Sequence, residues 1–257
     1  MSRPLISCLT ITREARFHQL ARAVECFHRQ TVGEKELVVV HDESEAFDQE
    51  LRRLAGAYPD DEISIHRAQR GLPLGALRNL SLSFARGGLV CQWDDDDLYH
   101  PERLEMQLRT LEEKGADFCF LTDQLHYFEP TGELFWDDWQ VEGYPGSLIQ
   151  GTMLGCADRI DRYQALARGE DTDLLQRLLG NGCRLAGISG HGYLYIYVYD
   201  GRNAWDIRHH AAQSVWKRLR RDALLQREEE LRKQLQEYDL PWKRVVMPFE
   251  GGELKII

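Results

Sequence analysis

Apolar residues in the first half of the chain fall into short unbroken runs, separated by stretches with helical spacing. Leu5–Ile11 (LISCLTI) and Glu36–His41 (ELVVVH) have the β-branched, apolar composition of strands buried on both faces. Between them Phe17, Leu20, Ala21, Val24 and Phe27 recur at three- and four-residue intervals, which predicts a helix over Ala15–Gln30. The alternation continues with a helix over Ala46–Ala57 and a strand at Glu62–His66. A further helix begins at Leu74 and closes at Gly87-Gly88, and a strand follows at Leu89–Trp93. Pro101 suits the first position of the next helix, which carries Leu104, Leu108 and Leu111 along one face. Such regular alternation predicts βαβ units and a largely parallel sheet flanked by helices.

From Asp117 the pattern changes. DFCFLTDQLHYF, the turn EPTGE and LFWDDW predict a mixed β region, and RGEDTDLLQRLLGNG predicts a helix closed by glycine. In the strand Gly192–Tyr199, Tyr193, Tyr195, Tyr197 and Tyr199 alternate and so share one sheet face, as core or groove wall. Ala212–Glu237 reads as one long charged helix, and the tail to Ile257 as a final strand. With no repeat and no low-complexity linker, the expectation is one α/β domain over residues 1–210, with a C-terminal helical appendage over 211–257.

A net charge of -10 argues against general nucleic-acid binding, which needs a basic face. The cysteines are scattered singly with no CxxC pair, so neither a zinc site nor a disulfide framework is expected, and a reducing cytoplasm is. No run is long enough for a transmembrane helix. Lys217, Arg218, Arg220 and Arg221 form a basic cluster on the expected long helix, open to two readings. It is either a solvated run or a contact, with an acidic partner or with an anionic surface at the inner membrane face.

CQWDDDDLYHPERLE, residues 91–105, carries the most specific chemistry. Four adjacent carboxylates repel one another, and here they follow directly on a strand. Either water solvates them as an acidic loop or a multivalent cation sits among them. In a parallel α/β sheet ligands bind at the strands' carboxyl ends, which favours the cation. Mg²⁺ and Mn²⁺ suit such a place, because they use one or two carboxylates and take further oxygens from phosphate and water.

QWDDDDLYHPERLE resembles the Asp-x-Asp segment of family 2 glycosyltransferases of the GT-A (Rossmann-like) fold. Matched residue by residue, Asp94 and Asp96 fall on the two aspartates of that motif, Asp95 on the variable place and Asp97 on the aspartate after it. LISCLTITRE resembles the family's first strand, with Thr10-Ile11-Thr12-Arg13 in place of the usual Pro-Thr-Tyr-Asn. ELVVVHDES resembles the second strand with its Asp-Asp-Gly-Ser ending, His41 replacing the first aspartate. RGLPLGALRNLSL resembles the Gly-x-x-x-Ala-Arg-Asn segment, and Glu170-Asp171 matches the acidic pair that opens the acceptor-side helix.

The resemblance covers about residues 5–182 and implies an inverting transfer from a nucleoside diphosphate sugar, UDP favoured. Residues 1–115 would form the nucleotide half and 116–210 the acceptor half. It implies that Thr10, Asp42, Arg78, Asn79, Asp94 and Asp95 serve the donor and that Asp94 and Asp96 hold Mn²⁺ or Mg²⁺. Asp171 would be the catalytic base beside Glu170. His209 and His210, after the last core strand, are candidates to complete the metal sphere. Blander readings stay open. Asp42 or Ser44 could cap a helix, Arg78 and Asn79 could be surface residues, and Gly71 and Gly75 could serve only a turn. Glu170 and Asp171 could simply open a helix. Two other classes also stay open: a nucleotidyltransferase, although TITREARF lacks its glycine-rich phosphate loop, and a non-catalytic nucleotide- or sugar-binding module.

Overall fold

The computed structural model describes residues 5–203, 206–240, 242 and 244–257. In chain order its main elements are β1 (Ile6–Ile11), α1 (Phe17–His28), β2 (Lys35–His41), α2 (Glu45–Ala55), β3 (Ile63–Arg67), α3 (Leu74–Phe84), β4 (Leu89–Gln92), β5 (Leu98–Tyr99) and α4 (Arg103–Lys114). Then come β6 (Phe118–Leu121), β7 (Asp123–Phe128), β8 (Glu133–Asp138), β9 (Leu154–Cys156), α5 (Glu170–Gly180), β10 (Leu185–Ile188) and β11 (Tyr195–Tyr199). The chain ends with α6 (Ile207–Lys217), α7 (Arg221–Gln226), α8 (Glu228–Leu235), β12 (Val246–Phe249) and β13 (Gly252–Lys255).

The chain divides into two compact units. One holds the residues up to 96 together with 104–120 and 150–186; the other holds 97–103, 121–149 and 187–257. The first is built on a sheet of order β10-β6-β9-β4-β1-β2-β3. Strands β4, β1, β2 and β3 run parallel, so their carboxyl ends line one edge; β9 enters antiparallel to β4 and β6. The core under this edge is aliphatic: Leu9, Val38, Val40 and Val90 pack with Leu77 of α3. That is why the runs read as strands buried on both faces. In α1 Leu20, Val24 and Phe27 of the expected stripe are buried, joined by Ala23, while Phe17 and Ala21 are only half-buried.

The second unit is built on a sheet of order β13-β12-β8-β7-β11-β5. Here the tyrosine run divides: Tyr193 lies in a single 3-10 turn before β11, which begins at Tyr195.

The C-terminal part departs from expectation. Ala212–Glu237 is not one helix but lies across α6, α7 and α8. The chain leaves helical conformation at Arg218 (φ -59°, ψ 142°), where it bridges Asp137, and Leu219 donates its N–H to the Trp136 carbonyl at 2.9 Å. Pairing with β8 outweighs the helix propensity of the charged residues. The tail forms two strands rather than one, and β12 pairs parallel with β8, so β12 and β13 extend this unit's sheet.

Candidate active site

Three strand ends on the parallel edge of the first unit, with helices α3 and α5, supply the site. After β4, Trp93 anchors the chain: fully buried, it donates its indole N–H to the Ala23 carbonyl (3.1 Å) and packs edge-on to Phe27. Thr10, at the end of β1, donates its hydroxyl to the Trp93 carbonyl at 2.8 Å, so two strand ends are tied immediately before the aspartates.

The four aspartates then go separate ways. Asp94 accepts from Gln92 Nε2 (3.0 Å) and from Arg78 Nη2 (3.1 Å). Asp95, 2% exposed, and Asp96 share one guanidinium: Arg16 Nη1 lies 3.0 Å from Asp95 Oδ1 and 2.7 Å from Asp96 Oδ2. Burial pushes the Asp95 carboxyl above its usual range against the pull of Arg16. Asp97 belongs to the second unit, where it accepts the Tyr195 hydroxyl at 2.5 Å and the Val198 N–H at 2.9 Å. Both its oxygens serve the fold.

Arg78 is the hub of the first unit's site. Buried in α3, it donates Nε to Glu170 Oε1 at 2.8 Å while Nη2 holds Asp94, and its guanidinium faces the Tyr163 ring at 5.8 Å. Burial opposes its charge, but the Asp94, Glu170 and Asp171 carboxylates hold it well above the ordinary arginine range. It is therefore not a plain surface residue. Asn79 beside it is occupied differently: its amide donates to the Tyr163 carbonyl and accepts the Tyr163 N–H, both at 2.8 Å. This two-point clamp orders the segment before α5. Gly75 explains itself the same way, since a Cβ there would lie 1.8 Å from the Gln164 carbonyl oxygen. Close approach of two backbones, not a turn, requires glycine at this position.

Helix α5 begins with the acidic pair. Glu170, 2% exposed, is driven above the usual carboxylate range by burial, against Arg78 and reinforced by Asp171. Asp171 is half-buried. It accepts the Thr172 N–H at 2.7 Å and lines a small crevice with Gln92, Phe120, Gln150, Met153 and Leu174. The helix N-terminus favours both charges.

At the end of β2, Ser44 caps α2 by accepting the Phe47 N–H (3.2 Å), so capping needs nothing from Asp42. Asp42 instead accepts the Gly71 N–H at 2.8 Å, and Gly71 has φ +85°. His41, fully buried, accepts the Glu43 N–H and donates to Asp48 at 3.1 Å.

The structure thus gathers Thr10, Asp42, Arg78, Asn79, Asp94, Asp95, Asp96, Glu170 and Asp171 in one unit. His209 and His210 belong to the other: His209 is exposed, while His210 is buried and stacked on Tyr197. In that unit Ser214 and His126 both contact Asp137 Oδ2, at 2.7 and 3.2 Å, all three being 2% exposed or less. Ser214 Oγ also lies 2.9 Å from His126 Nδ1, and this buried network ties α6 to β7 and β8. The basic cluster is also dispersed. Lys217 is buried against the Trp139 ring and pairs with Glu142 at 2.8 Å, Arg218 is half-buried, and Arg220 and Arg221 lie beyond the end of α6. The four residues do not share one helix face. Among the described residues no helix is long and apolar enough to cross a membrane.

The donor chemistry around β4 fits a divalent cation. Five carboxyl groups (Asp94, Asp95, Asp96, Glu170 and Asp171) meet the guanidiniums of Arg16 and Arg78, an excess of negative charge that would repel a diphosphate. Among the described residues no three carboxylate, imidazole or thiol groups form a ready-made metal cage. A cation held by one or two of these aspartates would draw further oxygens from phosphate and water. Arg16 and Gln92 were not legible as site residues. The one signal for Arg16 is its place just after the first strand, because its partners lie about eighty positions on.

The sequence model of the family described as glycosyl transferase family 2 matches residues 7–162. The putative glycosyltransferase EpsE of Bacillus subtilis is 28% identical over 186 residues, covering 64% of this chain and 63% of its own length. An uncharacterized glycosyltransferase of Methanocaldococcus jannaschii is 26% identical over 136 residues, 52% of this chain and 46% of that protein. The chain therefore spans about half to two thirds of the length of these curated relatives. Among solved structures, S. aureus TarS in complex with UDP-GlcNAc superposes with a TM-score of 0.62 at 16% identity, covering 92% of this chain and 68% of that one. The mannosyltransferase PcManGT from Pyrobaculum calidifontis, in complex with GDP-Man and Mn²⁺, gives 0.59 at 14% identity, covering 84% and 63%. These likenesses show the GT-A fold expected from the strand pattern.

Proposed function

The chain belongs to glycosyl transferase family 2, and on that premise we propose that it moves a hexosyl group from a nucleoside diphosphate sugar, UDP favoured, to an acceptor hydroxyl with inversion. The observation that carries this reading is the continuous chain Asp94–Arg78–Glu170, which ties the end of β4 to the start of α5 through one buried guanidinium. A binding module has no need of that link, nor of a half-buried Asp171 beside a crevice.

Asp171 takes the proton of the acceptor hydroxyl as its oxygen forms the new bond to the anomeric carbon. The bond from that carbon to the diphosphate oxygen breaks with its electron pair, and the nucleoside diphosphate leaves. Arg78 positions the acidic pair, and Glu170 fixes Arg78. Asp42 recognises the base, Thr10 holds the β4 end in place, and Asn79 orders the segment that leads into α5. When bound, Mn²⁺ or Mg²⁺ held by Asp94 and Asp96 supplies charge neutralisation at the diphosphate. The complexes of TarS with UDP-GlcNAc and of PcManGT with GDP-Man and Mn²⁺ support this donor class.

A thermal-shift screen of nucleotide sugars with and without Mn²⁺ tests the reading. A UDP-sugar at a hundred times its Kd stabilises the folded protein by about 2.7 kcal/mol, and only with metal. If no nucleotide sugar raises the melting temperature in the presence of Mn²⁺, the reading is wrong.

A further inference from the structure

We propose that Arg16 is the protein's own counter-cation for the Asp95–Asp96 pair, and that its release from Asp96 couples cation binding to donor binding. The inference rests on the proposed function and concerns a residue that the reaction as written above does not use. One nitrogen of Arg16 touches both carboxylates, at 3.0 Å to Asp95 and 2.7 Å to Asp96. The two aspartates have unequal claims on it. Asp95 is shut away from water, with a side chain 3% exposed, and a carboxylate so placed needs a partner. Asp96, at 12%, is the more exposed of the two. Asp96 is also the carboxylate assigned to the cation, so Arg16 and the cation would compete for it.

Arg16 can give way. It ends the one-turn 3-10 segment Glu14–Arg16 between β1 and α1, and its side chain is 27% exposed. Arriving diphosphate offers its guanidinium a planar, doubly hydrogen-bonding partner, the ligand for which arginine is best shaped. On moving to the phosphate, Arg16 gives up its pairing with Asp96. By linkage, a donor that draws Arg16 away tightens cation binding, and a cation on Asp96 tightens donor binding by the same factor.

The experiment is Mn²⁺ titration followed by electron paramagnetic resonance of the free ion. It uses the wild type, Arg16→Gln, Arg16→Lys and Asp96→Asn, each with and without UDP. Without UDP, Arg16→Gln should bind Mn²⁺ about tenfold more tightly than wild type, inside the usual range of coupling between sites. The extra Mn²⁺ affinity that UDP confers should shrink by the same factor. Arg16→Lys keeps the charge but not the planar fork, so it should move both quantities the same way by about threefold. It carries the test if Arg16→Gln does not fold. Unchanged Mn²⁺ affinity and an unchanged UDP gain in both Arg16 variants, with Asp96→Asn losing Mn²⁺, overturn the role of Arg16 alone. If even the wild type with UDP binds no Mn²⁺, the cation in the proposed function falls, and this inference with it.

Discussion

Opposite ends of the same parallel strands carry two clusters of buried charge, and they are balanced in opposite ways. At the amino ends of β1 and β2, Glu36 is 2% exposed and fully engaged. It accepts the Ser7 hydroxyl at 2.5 Å, the Arg86 N–H at 2.7 Å and Arg86 Nε at 2.6 Å, while Ser7 in turn accepts the Gly87 N–H. Burial raises its carboxyl, but those hydrogen bonds outweigh burial and hold it below the ordinary range. At the carboxyl ends, Asp95 and Glu170 are just as buried, yet burial wins and both are pushed up. A cluster that satisfies its own charge belongs to the fold. One that leaves carboxylates in excess stores electrostatic cost that a bound cation can offset.

Asp171→Asn has the largest expected effect and should act on one end only. It should lower turnover by about 10²–10⁴-fold, the usual worth of a general base, with melting temperature and donor affinity nearly unchanged. Steady-state kinetics beside a thermal melt would show this, and Glu170→Gln is the control. Full activity of both variants would leave the pair as a helix start.

Glu36→Gln should do the reverse. It should cost about 1–3 kcal/mol of stability, the penalty for weakening the partner of buried donors, with kcat of the folded enzyme unchanged. Because the folded-state pKa of Glu36 is depressed, its contribution is fully present above the unfolded carboxylate value of about 4.3 and fades as pH falls below it. In urea melts the gap between wild type and variant should therefore be widest at neutral pH and narrower near pH 3.5. An equal gap at both values would separate Glu36 from the charge account.

Asp42→Ala is the smallest effect. Asp42 is half-buried, so removing it should weaken nucleoside diphosphate binding by about 1 kcal/mol, roughly fivefold in Kd. Helix α2 should keep its stability, because Ser44 caps it. Calorimetry showing unchanged affinity would confine Asp42 to holding the Gly71 turn.

Legibility followed the range of the interactions. The strands β1, β2 and β4 could be read because their residues are β-branched and apolar in unbroken runs, a local signal. Asp94 and Asp96 stood out because a strand end is a chemically odd place for adjacent carboxylates. The hub at Arg78 could not be read, since its partners lie 16 and 92 positions away. Asp97 looked like part of one acidic run, yet its hydrogen bonds go to Tyr195 and Val198, about a hundred positions on. The long helix over Ala212–Glu237 was misread for the same reason. Its lysines, arginines and glutamates favour helix locally, and only the pairing of Arg218 with Asp137 breaks it.

The central claim, that the excess carboxylates at the end of β4 work through a divalent cation, is met most directly by one measurement. UDP release from the donor selected in the thermal screen is followed in EDTA, after Mn²⁺ is restored in excess, and with Asp96→Asn. The account predicts that release stops in EDTA, returns with Mn²⁺, and stays absent in an Asp96→Asn protein that melts at the wild-type temperature or above. Full release in the presence of chelator would contradict it.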